Sequence, residues 1–168
     1  MAAAGRTATQ LLPRRAARLA AVQGLYEIEV SASGAEAVLE NYVRQRWPRS
    51  GAAQDLPPPD LELLATLVKG TLAAAPDLDV EINQVLAGRR GGDRIETLLR
   101  AILRVGAFEL RELSDVPTRV VLNEYINLAH AFFAGGEPAL VNAVLDRLAL
   151  RFRGPASGPA AGPAAGPT

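Results

Sequence analysis

Apolar side chains recur every three or four residues along most of this chain, and nowhere do they alternate one by one over a useful length. A repeat near 3.6 places apolar groups on one stripe of a helix, whereas a half-buried strand needs a period of two. The chain is therefore expected to be all-α. The strongest segment is 93–110, where Ile95, Leu98, Leu99, Ile102, Leu103, Val105 and Phe108 cover most faces. A helix apolar on most faces must be enclosed by others, so this one is expected at the centre of a bundle.

Glycine and proline set the other boundaries. Residues 1–12 carry no strong pattern and are expected to be a flexible N-terminal arm. Pro13 reads as a helix start, where its missing N–H costs little. The helix that follows, 14–30, places Leu19, Val22, Leu25, Tyr26 and Glu29 at helical spacing. SASG at 31–34 breaks it, and a second helix is expected over 35–47, with Val38, Leu39, Tyr42 and Val43 inward. After a proline-rich loop, Asp60 opens a third helix carrying Leu61, Leu64, Leu67, Val68 and Leu72. Pro76 is expected to end it, with a short helix over 78–86 behind it. GRRGG at 88–92 reads as a turn, and helices over 118–133 and 138–152 bring the count to seven. From Gly154 the chain reads GPASGPAAGPAAGPT, which cannot pack a core and is expected to be a disordered tail. A single compact bundle over 13–153 suits the total length of 168 residues.

Composition removes several classes of function. Cysteine is absent, which excludes disulfides, thiolate metal sites and cysteine nucleophiles. His130 is the one histidine, too few for the usual metal pairs or Ser-His chemistry. No Gly-rich loop has phosphate-binding spacing. No enzyme, cofactor or metal is expected. No apolar run reaches the roughly 18–20 residues that span a bilayer, so no membrane association is expected. Net charge is zero, with 18 basic and 18 acidic residues, so an electrostatic partner must be sought in local clusters. Lys69 is the single lysine; all other cations are arginine.

One such cluster opens the first long helix. Arg14 and Arg18 are four apart, on one face, and Arg15 adjoins them. Three guanidinia at a helix start oppose the helix dipole, so a stability argument would not put them there. A polyanion would account for them; a solvated helix face is the alternative. Tyr26, two turns on, is either a base-stacking surface or a core residue. Phe132 and Phe133 are about 100° apart if both are helical, so one of them should be partly exposed. Arg104, Glu109, Asn123 and Glu124 interrupt apolar helices. Buried charges need partners, so they are expected to form a polar network joining the helices over 93–110 and 118–133. Asn142 is either an interhelix hydrogen bond or a contact to a base edge.

Three stretches carry a family resemblance. PRRAARLAAVQGLYEIE at 13–29 ends in an A-x-Q-x-L-Y pattern. RAILRVGAFELRELSDVPTRVVLNEYINLA at 100–129 contains A-x-L-R-x-x-x-x-E-L, D-V-P and V-x-x-N-E-x-x-x-L-A. LVNAVLDRLA at 140–149 has a closing V-N-x-V-L-D. In order and spacing they resemble the NusB family of bacterial transcription antitermination factors, over roughly 14–150. Departures are Ala16 for an arginine, Asn127 for an acid, Phe133 for a glycine and Leu140 for a phenylalanine. The turn at 88–92 also lacks a nearby tryptophan.

The resemblance implies a cytoplasmic, non-catalytic factor. It would bind the boxA element of ribosomal RNA leader transcripts together with NusE, a protein also used in the small ribosomal subunit. Through that complex it would meet RNA polymerase and other Nus factors. Arg14, Arg15 and Arg18 would face phosphates, Phe132 and Tyr26 would stack bases, and His130 would approach phosphate. Asn142 completes the expected RNA-binding set. A homodimer covering the RNA surface is a further expectation. The rival readings are a fragment related to ribosomal RNA cytosine methyltransferases, some of which carry a NusB-like domain, and a purely protein-binding helical module.

Overall fold

The computed structural model describes residues 8–44, 55–89 and 95–155. Every regular element among them is a helix: α1 (Ala8–Ser31), α2 (Ala35–Arg44), α3 (Leu61–Leu86), α4 (Thr97–Glu112), α5 (Thr118–Phe132) and α6 (Glu137–Arg153). The expected tail from 156 on, residues 1–7 of the arm, the end of the second helix at 45–47, most of the proline loop and turn residues 90–92 lie outside the described residues.

Six helices stand where seven were expected, because Pro76 lies inside α3 instead of ending it. A proline within a helix costs about 3 kcal/mol. Beyond it, Leu78, Ile82 and Leu86 are at most 2% exposed. Burying each such side chain contributes roughly 1.5–3 kcal/mol, so their packing outweighs the break. The helix starts as the sequence suggests, with the Asp60 carboxylate accepting from the Leu63 N–H at 3.0 Å.

Pro13 is likewise inside a helix, since α1 begins at Ala8. The Pro13 carbonyl accepts from the Asp60 N–H at 2.9 Å, tying α1 to the start of α3. The helix α1 ends where the chain turns through Ala32, at φ 56. In α2, Val38 is buried, but Val43, expected inward, is 64% exposed.

The central position of the fourth helix is as expected, although it starts at Thr97 and not at 93. It packs against α1, α3, α5 and α6, and Leu99, Ile102, Leu103, Val105 and Leu110 are buried. Two glycines let its neighbours approach. A Cβ on Gly70 of α3 would lie 2.2 Å from the Phe108 ring, and one on Gly106 would lie 2.8 Å from Leu145. Arg153, near the end of α6, closes the α4–α5 corner. Its guanidinium donates to the carbonyls of Leu110, Leu113 and Val116 at 2.7, 2.9 and 2.6 Å. A cation here also complements the negative end of α4.

Candidate nucleic-acid interface

A cleft of about 300 Å³ opens between α1 and α5. Leu11, Arg14, Arg15 and Arg18 line it from α1. Val120, Asn123, Glu124 and Asn127 line it from α5. Both sets follow the spacing i, i+3, i+4, i+7, so a single stripe of each helix faces the cleft. Leu11 and Val120 were not singled out from the sequence, and Asn127 entered only as a departure from the family pattern. Their signal was the stripe itself, which appears only when the two helices are set side by side.

The three arginines play different parts. Arg15 is half-exposed, and its Nε and Nη2 donate to the Glu124 carboxylate at 3.1 and 2.9 Å. Those hydrogen bonds and the charge of Glu124 raise its pKa. Arg14 is half-buried and also borders a second small cleft with Asp60, Glu62 and Asp115. Arg18 is 3% exposed and points inward, which corrects the expectation that it meets RNA. Its Nε and Nη2 donate to Glu109 at 3.0 and 2.6 Å. Burial alone would lower the Arg18 pKa, but the hydrogen bonds and charge of Glu109 outweigh it and raise the value. The Tyr125 hydroxyl donates to the same carboxylate at 2.6 Å. Burial, followed by the charge of Glu109, pushes this phenol well above its ordinary range.

The polar network is thus real but differently composed. It joins α1, α4 and α5 through Arg18, Glu109, Tyr125 and Glu124, with Arg18 and Glu124 3.9 Å apart. Arg104 is not part of it. Arg104 and Glu109 are five positions apart, about 140° around α4, so the two face different neighbours. Arg104 instead holds Asp79 at 2.7 Å and Glu29 at 3.1 Å, where α1, α3 and α4 meet. The hydrogen bonds of Asp79 raise its pKa. Asn123, also expected in the network, is exposed in the cleft.

The remaining expected contacts are spread more widely. His130 lies one turn beyond Asn127 on α5 and is exposed. Phe132 and Phe133 are both half-buried against the core. The 100° argument fails because Phe133 has left the helix, at φ −128 and ψ 136. Tyr26 is 39% exposed, so it is not a core residue; it lies eleven positions past Arg15, outside the cleft. Asn142 is exposed on α6. Among the described residues, no cluster of His, Asp and Glu could hold a metal, and no helix is long and apolar enough to cross a membrane.

Known proteins share both sequence and fold with this chain. The profile of the NusB family matches residues 15–150. The transcription antitermination protein NusB of Maricaulis maris is 43% identical over 136 residues, 81% of this chain and 85% of that protein. The protein of the same name from Caulobacter vibrioides is 40% identical, over 83% of this chain and 94% of its own length. Among solved structures, T. maritima NusB superimposes with a TM-score of 0.66 at 24% identity, covering 81% of this chain and 89% of that one. A crystal structure described as antitermination factors NusB and NusE in complex with dsRNA gives 0.65 at 20% identity, covering 83% and 98%. At such identities the structures speak for the fold, while the curated relatives and the profile speak for descent: the chain belongs to the NusB family.

Proposed function

We propose that this protein is a non-catalytic transcription antitermination factor that binds boxA RNA of ribosomal leader transcripts together with NusE, working in the cytoplasm. Through NusE it would reach RNA polymerase and the other Nus factors. The observation that carries the RNA-binding part is the α1–α5 cleft, where Arg14 and the half-exposed Arg15 stand beside the amides of Asn123 and Asn127. Arginine forks suit phosphate oxygens, and amides suit base edges. Leu11 and Val120, 46% and 36% exposed, offer apolar surface to the faces of unpaired bases. Single-stranded RNA presents such bases. His130 extends the same stripe of α5. Arg18, Glu109 and Tyr125 support this surface from below by fixing α1 against α4 and α5.

The test is fluorescence anisotropy of labelled boxA RNA and a scrambled RNA, with the protein alone and with NusE, at two salt concentrations. Tighter binding to boxA, improved by NusE and weakened in an Arg14→Ala, Arg15→Ala variant, is expected. Equal, weak binding to both RNAs with NusE present would overturn the reading in favour of a protein-binding module.

A further inference from the structure

Gly88 and Arg89, which follow α3, are not among the residues that line the α1–α5 cleft. Both residues line a second groove, about 870 Å³ in volume, between α3 and α6. From α6, Asp146, Arg147, Leu150 and Arg151 face it, and Gln84 stands opposite on α3. Arg151 is a fixed wall: it donates to Glu81 at 2.7 Å and to Gln84 at 2.9 Å. Arg89 and Arg147 are exposed and make no ion pair among the described residues. Even with Asp146 in the lining and Glu81 behind Arg151, the groove keeps an excess of positive charge, although the chain as a whole has none.

The bundle places this groove on the same circuit as the cleft. The helix α5 packs against α1 on one side and α6 on the other, and α6 packs against α3. The exposed Asn142 lies one turn before Asp146 on α6. Packed helix axes are about 8–10 Å apart, so cleft and groove are separated by on the order of 20 Å. That distance is roughly six nucleotides at a stacked rise of 3.4 Å. The groove lining has arginine forks but no aromatic side chain, which suits phosphates and leaves bases unread.

We propose that the α3–α6 groove is a second RNA-binding site, in which Arg89 and Arg147 take backbone phosphates of the strand leaving the α1–α5 cleft. This inference rests on the RNA-binding reading of that cleft. It lengthens the footprint on RNA and adds affinity without sequence preference.

The full chain is titrated into two labelled RNAs, boxA alone and boxA extended by about ten nucleotides at each end. The extended RNA is expected to bind several-fold more tightly. An Arg89→Ala, Arg147→Ala variant should lose that gain and leave boxA alone unaffected. Two lost phosphate contacts lower the salt slope of log K on the extended RNA by about 1.4, at roughly 0.7 per contact for single strands. An Arg14→Ala, Arg15→Ala variant should weaken both RNAs. If it weakens neither while the groove variant still removes the gain, the cleft reading fails and the groove survives. Equal binding of the two RNAs to the unaltered protein overturns the proposal, as does an unchanged salt slope in the groove variant. A groove variant that loses NusE binding while keeping the extended RNA also overturns it and makes the groove a protein-docking site.

Discussion

Arg18 and Arg104 each close a guanidinium fork on a carboxylate, at opposite ends of the central helix's polar contacts. The Arg18–Glu109 pair is sealed, with side chains 4% and 0% exposed, and takes a third partner in Tyr125. The Arg104–Asp79 pair is open, at 20% and 26%, and Glu29 beside it is 42% exposed. Their hydrogen-bond lengths are nearly the same, so geometry does not separate them; access to water does. Water can replace a lost partner in the open cluster. In the sealed one, nothing can.

The largest effect should therefore come from breaking the sealed pair. Glu109→Ala leaves the buried Arg18 charge with only the more distant Glu124 carboxylate, and is expected to cost about 3–5 kcal/mol in urea unfolding. A loss under 1 kcal/mol would make the two clusters equivalent and remove the contrast. Tyr125→Phe deletes one hydrogen bond to a charged group and should cost about 1.5–3 kcal/mol. This variant also has a pH signature. The folded state holds the Tyr125 proton more tightly than the unfolded chain, so its stabilisation is fully present below the ordinary tyrosine range near 10 and is lost as pH rises towards the folded value. Stability of the unaltered protein should fall above about pH 10. The fall should be shallower in Tyr125→Phe, with Tyr42, raised to about 12 chiefly by burial, still contributing.

Asp79→Asn tests the open cluster, and a loss below about 1 kcal/mol, shrinking further in added salt, is expected from thermal melts at low and high ionic strength. A loss as large as that of Glu109→Ala would mean that exposure is not the deciding variable. Arg15→Ala should change stability least, within about 0.5 kcal/mol, while lowering RNA affinity in the anisotropy titration. The residue is half-exposed, and Glu124 keeps Arg18 nearby when Arg15 is removed.

Much of the fold was legible because apolar spacing is a local property. The stripe in α4 predicted its central position, and Asp60 before an apolar run predicted the cap of α3. At Pro76 the expected helix end does not form, and the reason is not local. A proline's local penalty is visible in the sequence, whereas the burial of Leu78, Ile82 and Leu86 that offsets it depends on helices far away in the chain. The site was less legible. Arg14, Arg15 and Arg18 look alike as letters, and only the position of Glu109, 91 residues away from Arg18, separates the structural arginine from the exposed one.

The sequence by itself determined that the chain is helical, which stripe of each helix is apolar, and that several buried charges would need partners. It also carried enough of the family's patterns at 100–129 and 140–149 to indicate descent. The tertiary structure alone decided which charges met: Glu109 took Arg18 and Tyr125, Glu124 took Arg15, and Arg104 turned to Asp79 and Glu29. The reason is physical. Helical periodicity acts over a few residues and is written along the chain, whereas desolvation and ion pairing depend on what packs above a side chain, and that is settled only when the helices close around one core.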